Sequence, residues 1–298
     1  MRSRLLILCP GQGGQHGGMF ELARTHARAA ALLDRFDFPN DAALLFANRV
    51  AQPAIVAATL AMWEAIRDFA PAPALVAGYS IGELAAYGVA GALAPADAVH
   101  LAATRASLMD ACLQTFPGQA LAAVSGLSLQ RSGELIQDDL FHIAIETGED
   151  SCIAGGPAAA LASLQAKIAA AGGRLARLPV EIASHTPYMA PAVAPFAAAL
   201  RATGFHALET PLLSGISAAP IDGSAMAIAH LSRQLAEKIV WKDCMDACAE
   251  AGVTVALELG PGAALSRMLQ ARHPGIDCRS VTDFRSLDGI RKWLGRHF

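Results

Sequence analysis

A short apolar run, Ala74–Ala77, stops at Gly78-Tyr79-Ser80-Ile81-Gly82 and gives way to an alanine-rich stretch from Glu83. This G-x-S-x-G junction constrains the chain more than any other segment. The apolar run predicts a buried strand and the stretch after it a helix, so five residues must turn the chain from one to the other. Small residues on both sides of the serine permit so tight a turn. It leaves the serine oxygen at the carboxyl edge of a sheet, beside a helix N-terminus that favours negative charge. The plainer reading of the same residues is a tight turn with a capping serine.

The surrounding segments place this junction in an α/β fold. Leu5–Cys9 reads as a first strand, followed by the glycine-rich stretch Gly11–Gly18, while residues 52–69 and the segment from Pro95 to about Phe116 read as helices. Strands alternating with helices predict α/β layering around a largely parallel sheet. The middle of the chain has a different order. Strands at Ala120–Val124, Phe141–Glu146, Ser151–Ala154 and Leu175–Ile182 alternate with helices at 128–137 and 157–171. That β-α-β-β-α-β order is the ferredoxin-like split unit. The expected architecture is therefore a main domain of residues 1–118 and 185–298 with an inserted ferredoxin-like subdomain, 119–184.

Composition removes several classes of function. Of the 298 residues, 54% are hydrophobic and 16% charged, against about 25% charged in an average soluble protein. Disorder and a highly charged nucleic-acid binder are excluded. The net charge of −3 predicts no bulk attraction to DNA or to a membrane. No run of about 18 apolar residues occurs, so no transmembrane helix is expected. The apolar N-terminal run is short and ends at Pro10-Gly11, which suits a buried strand better than a signal peptide. The six cysteines are scattered, which suits reduced thiols in a cytoplasm. Cys244 and Cys248 could share a helix face, where two thiols are more often core fillers than metal ligands.

Three further places carry chemistry. Gly11-Gln12-Gly13-Gly14-Gln15 follows a strand but fails both the dinucleotide fingerprint and the P-loop pattern. Beside a serine elbow, such a loop could supply oxyanion donors, from its backbone N–H groups or the Gln12 amide; otherwise it is a surface turn. A serine needs a base. Among nine histidines, His185 stands apart, because it lies in Ala183-Ser184-His185-Thr186-Pro187, a break between an apolar strand and the next helix. A structural histidine is the alternative. No aspartate presents itself as a third member, and a backbone carbonyl can orient an imidazole equally well. Arg105 has only apolar neighbours three and four residues away, Leu101, Ala102, Leu108 and Met109. A cation on an apolar helix face must be paired, with a protein carboxylate or with a ligand carboxylate.

Taken in order, these residues resemble the malonyl-CoA:acyl carrier protein transacylase family, nearly end to end. Pro10-Gly11-Gln12-Gly13-Gly14-Gln15 is similar to that family's P-G-Q-G-x-Q, Gln52-Pro53-Ala54 to its Q-P-A, and Gly78–Glu83 to its G-H-S-L-G-E. Arg105 with Met109, Ser184-His185 with Met189, Gln234-Leu235 with Trp241, and Gly260-Pro261-Gly262 match further motifs. The resemblance implies an α/β-hydrolase-like domain with a ferredoxin-like insertion. It implies Ser80 as nucleophile, His185 as base and later acid, and the main-chain carbonyl of Gln234 as the group orienting His185. Gln12 and the N–H of Ile81 would form the oxyanion hole, and Arg105 would hold the malonyl carboxylate. The family's histidine before the serine is Tyr79 here, a position that abuts the acyl pocket and bears on acyl selectivity.

The implied reaction is ping-pong malonyl transfer from malonyl-CoA to an acyl carrier protein, without metal or redox cofactor. Two settings are equally open: the malonyltransferase subunit of malonate decarboxylase, working among that complex's other subunits, and a fatty-acid or polyketide loading enzyme. A serine esterase or thioesterase and a non-catalytic carrier-binding scaffold are the competing classes. Residues 267–298 hold seven Lys/Arg against three Asp, a candidate docking patch for an acidic carrier.

Overall fold

The computed structural model describes residues 3–39, 41 and 44–298. In chain order its strands are β1 (Leu5–Cys9), β2 (Leu75–Gly78), β3 (Gln119–Ser125), β4 (His142–Glu146), β5 (Ser151–Pro157), β6 (Arg174–Arg177), β7 (Leu212–Leu213), β8 (Val255–Glu258) and β9 (Asp277–Ser280). One sheet has the spatial order β7-β2-β1-β8-β9, and every neighbouring pair is parallel. β1 lies at its centre, and none of its five residues is more than 1% exposed. Successive side chains of a strand face opposite ways, so a central parallel strand must be apolar throughout. Leu5, Ile7 and Cys9 join the helices Asn48–Ile66, Gly82–Val89 and Pro95–Thr115 on one face. Leu6 and Leu8 join the helices Trp241–Glu250 and Ala264–Arg272 on the other.

The second sheet has the order β4-β5-β3-β6, antiparallel at every pairing. Read from β6, this is the fourth-first-third-second arrangement of a ferredoxin-like unit. The helices Leu129–Gln137 and Leu161–Ala170 bury Ile136, Leu164 and Ile168 against Val124, Phe141 and Cys152 of this layer.

Two expectations are corrected. The strand expected over Leu175–Ile182 ends at Arg177. Leu178 makes one more bond, its N–H donating to Leu121 O at 2.9 Å, and then Pro179, with no N–H, cannot extend the ladder. The helix expected at 52–69 begins a turn earlier, at Asn48, and carries Pro53 inside it. Proline there forfeits one intrahelical bond, but the helix buries fourteen of its nineteen residues, and that packing outweighs the loss. Among the described residues, no helix is long and apolar enough to cross a membrane.

Candidate active site

The register of the parallel sheet brings three loops to one edge. Cys9 stands opposite Gly78 and Leu8 opposite Glu258. The glycine-rich loop, the serine junction and Gly260-Pro261-Gly262 therefore all leave the carboxyl ends of adjacent strands, where ligands bind in open α/β sheets. The Tyr79 N–H makes a last rung to Cys9 O at 3.0 Å. The chain then reverses at Ser80, whose φ is +56°. A non-glycine residue in that region is strained, and such strain gathers at functional sites. The flanking glycines are required by close approach: a Cβ on Gly78 would lie 2.3 Å from Glu83 Cα, and one on Gly82 2.1 Å from Cys9 O.

His185 reaches this edge from the opposite side. Its own φ is +62°, and its N–H donates to Leu235 O at 2.8 Å. The segment is tied to the small sheet, since the Ala183 N–H donates to Gln119 Oε1 at 2.7 Å. A Cβ on Gly155 would stand 3.0 Å from the Thr186 methyl and 3.1 Å from Ala183 Cβ, so bare backbone on β5 lets the segment settle against it. The imidazole spans two partners: Nε2 lies 2.7 Å from Ser80 Oγ and Nδ1 2.6 Å from the Gln234 carbonyl oxygen. A carbonyl can only accept, so Nδ1 carries the proton and the Nε2 lone pair faces Ser80. Gln234 closes the helix Gly223–Arg233, which places its carbonyl at a helix end, where main-chain acceptors lack intrahelical donors.

Burial, and after it the positive charge of Arg105, push the His185 imidazole down to about 3 from 6.5, against the pull of the Gln234 carbonyl. The unfolded chain therefore binds a proton that the folded chain refuses between pH 6.5 and 3, and stability falls as the pH drops through that window. From pH 7 to pH 5 the loss from this one group is about 2 kcal/mol. Urea unfolding at the two pH values checks it. His185→Gln, which cannot titrate, should lose that much less on acidification; an unchanged pH dependence would mean that the imidazole is not held neutral.

Arg105 is 3% exposed. Its Nη1 donates to Gln52 Oε1 at 2.6 Å, while Nη2 is buried without a partner. Gln52 is itself held, its Nε2 donating to Asn48 Oδ1 at 2.6 Å. The Asn48 amide in turn donates to Asp110 Oδ1 at 2.8 Å. Arg105 makes no ion pair among the described residues, so the protein-carboxylate partner considered for it is not found. Burial pushes its guanidinium down to about 10, with the charge of Glu83 opposing. Sequence reasoning misses Asn48 and Gln52 as supports for Arg105. Their one signal is a pair of amides four residues apart in a largely apolar helix.

Gly11 packs against the junction: a Cβ there would lie 2.8 Å from Tyr79 O and 3.6 Å from Ser80 Cβ. Gln12 follows it and lines a groove of about 840 Å³ with Phe46, Asn48, Leu113, Arg177 at the end of β6 and the irregular segment 178–182. Within the loop, the Gly13 N–H donates to Gln15 Oε1 at 2.6 Å. Ile81 is the N-cap of the helix Gly82–Val89, where main-chain N–H groups have no intrahelical acceptor. Tyr79 turns away from this groove. Its ring meets Trp241 edge-on at 5.2 Å and borders a separate cavity of about 610 Å³ with Met245 and Met268. Arg291 of the basic C-terminal segment also lies elsewhere. It stacks 4.6 Å from the Phe69 ring, beyond the far end of the helix that carries Gln52, about 20 Å along its axis. Arg272 is already paired with Asp246 at 2.6 Å.

A parallel sheet that ends in a strained serine turn, with a buried histidine at hydrogen-bond distance, is the arrangement of α/β enzymes that use a serine nucleophile. The acyl transferase domain family matches residues 7–282, and the chain belongs to that family. Malonyl CoA-acyl carrier protein transacylase of Mycobacterium bovis is 33% identical over 300 residues, covering 96% of this chain and 99% of that protein. The crystal structure of MCAT from Mycobacterium tuberculosis superposes with a TM-score of 0.89 at 31% identity, over 97% of this chain and 99% of that one. A solved complex of a type II PKS acyl-carrier protein with its malonyl-transacylase has a TM-score of 0.89 at 25% identity, over 97% of this chain and 99% of the matched chain.

Proposed function

We propose that this protein is a malonyl-CoA:acyl carrier protein S-malonyltransferase working by a ping-pong Ser-His mechanism. Ser80 Oγ passes its proton to His185 Nε2 and attacks the thioester carbonyl. Gln12 and the Ile81 N–H receive the oxyanion. The intermediate collapses, the C–S bond breaks, and the imidazolium returns its proton to the departing CoA sulfur. The carrier thiol then gives its proton to His185 and attacks the Ser80 ester; the C–O bond breaks, the imidazolium returns the proton to Ser80 Oγ, and the malonyl group leaves on the carrier sulfur. Each step moves an acyl group and a proton, so the chemistry asks for no metal and no redox cofactor. In this reading residues 1–118 and 185–298 form the catalytic domain, and the small subdomain 119–184 walls the groove. A CoA thioester substrate and free thiols fit a cytoplasmic enzyme.

The observation that carries the malonyl assignment is Arg105. A buried guanidinium with one unpartnered nitrogen, whose charge also bears on His185, is a receptor for a carboxylate at the far end of an acyl chain. A plain esterase has no use for it. The test is incubation with malonyl-CoA and a phosphopantetheinylated carrier protein. The expected result is one equivalent of CoA released for each malonyl group found by mass on the carrier thiol. Release of CoA with free malonate and an unmodified carrier would make the protein a thioesterase instead.

A further inference from the structure

Glu83 is a carboxylate on an apolar helix, 1% exposed, and the reaction above gives it no task. It lies in the first turn of the helix Gly82–Val89, three residues after Ser80, and its N–H donates to Ser80 O at 3.0 Å. A carboxylate in a first helical turn usually serves its own helix. This one does not: Oε2 accepts the Gly215 N–H at 2.9 Å and the Gln234 side-chain amide in a short bond, and Oε1 has no partner. Gly215 is adapted to the contact, because a Cβ there would stand 2.7 Å from Oε2. Gln234 thus faces two ways. Its side chain is held by Glu83, and its main-chain carbonyl holds His185 Nδ1. The ring of contacts closes through Ser80, which lies 2.7 Å from His185 Nε2.

We propose that Glu83 is a positioning residue for His185, acting through Gln234: by fixing the Gln234 side chain to the serine turn, it fixes the carbonyl that sets the tautomer and direction of the imidazole. A carboxylate that bonds the imidazole directly does this in one contact. Here the carboxylate stands one residue back, and a main-chain carbonyl makes the contact. The arrangement couples the two halves of the site mechanically. Ser80 and Glu83 are tied by the bond from the Glu83 N–H to Ser80 O, so a shift of the serine carries the anchor of its base with it. Burial pushes the Glu83 carboxyl up to about 8, opposed by the Gly215 N–H, the Gln234 amide and Arg105. A side chain with that desolvation is expensive to keep, and the Gln234 link gives it a use.

The inference rests on the acyl-transfer reading for its rate measurement, and a second readout is independent of substrate. The rate is that of Ser80 malonylation at saturating malonyl-CoA. The second readout is the NMR resonance of the His185 Nδ1–H, which the 2.6 Å bond to Gln234 should hold far downfield. Glu83→Gln keeps an acceptor oxygen for both donors and should stay within a few-fold of wild type. Glu83→Ala and Gln234→Ala should each lower the rate constant about tenfold to a hundredfold, leave the malonyl-CoA concentration for half-saturation unchanged, and broaden or abolish the Nδ1–H signal. The double variant should lose no more than either single one. Wild-type rates in Gln234→Ala, multiplying losses in the double variant, or a Glu83→Gln as poor as Glu83→Ala would each overturn the proposal. Should Glu83→Ala not fold, the Gln234→Ala and Glu83→Gln results decide. Absence of malonylation in the wild type would sink the acyl-transfer reading, and the Nδ1–H signal in the same variants would still decide the role of Glu83.

Discussion

Ser80→Ala is expected to leave no malonyl adduct on the protein after incubation with malonyl-CoA, where the wild type gains one malonyl mass at Ser80. The reason is geometric. Ser80 Oγ is the oxygen 2.7 Å from a buried imidazole whose other nitrogen is committed to a carbonyl, so its proton has a prepared acceptor. Of the other strong nucleophiles, Cys9, Cys112, Cys152, Cys244 and Cys248 are buried, and burial pushes the Cys248 and Cys278 thiols up to about 12. None offers a thiolate at neutral pH. His185→Ala should slow labelling about a hundredfold or more, as loss of a general base does. In the proposed mechanism the imidazole would take the serine proton on attack and return it to the leaving sulfur, so one residue would serve both directions. Intact-mass spectra over time settle both points. An adduct that persists in Ser80→Ala would place the nucleophile elsewhere and refute the mechanism.

Arg105→Ala should reduce kcat/KM for malonyl-CoA by roughly two decades, a loss of about 3 kcal/mol, while acetyl-CoA is handled as well as or better than before. A guanidinium meets a carboxylate through two parallel N–H bonds, and Arg105 Nη2 is buried with none made. The acetyl group supplies no carboxylate, so in the wild type it leaves a buried cation uncompensated. That cation also pushes the His185 imidazole down. In the proposed reading a malonyl carboxylate would neutralise Arg105 and thereby restore basicity to the group that accepts the serine proton. The preference for a dicarboxylic acyl group should therefore appear in kcat as well as in KM. Thermal unfolding supplies the control. If Arg105 served only the fold, its loss would lower the melting temperature and depress both acyl donors alike, and the carboxylate assignment would fall.

Much of this site is legible in the amino-acid order. Ser80 is marked by the glycines on either side of it, because tight reversal at a strand end excludes side chains. Arg105 is marked by charge on an apolar helix face, which only a partner can justify. His185 is marked by its place in a break between elements, whereas Gln234 emerges only through family resemblance. No local pattern announces a carbonyl 49 residues away as the acceptor for a histidine. Glu83 lies within the serine motif, yet its partners Gly215 and Gln234 are 132 and 151 residues distant, and spacing in one dimension holds no trace of them. Apolar alternation over 175–182 overextends the last strand of the small sheet, because it runs through Pro179, where the missing N–H ends the ladder.

What the chain order settles is local: a central strand apolar on every residue, a glycine-flanked serine between strand and helix, and the β-α-β-β-α-β order of the middle. Each follows from a periodicity or a steric limit acting within a few residues. What meets at the carboxyl edge is a matter of tertiary packing. Parallel register puts Cys9 opposite Gly78 and Leu8 opposite Glu258, so loops far apart in the chain leave side by side. Among the described residues, packing leaves Arg105 without an ion-paired carboxylate, turns Tyr79 against Trp241, and carries Arg291 away from the groove. Those outcomes depend on how whole faces fit together, and a buried charge finds or lacks its partner only when the faces have closed.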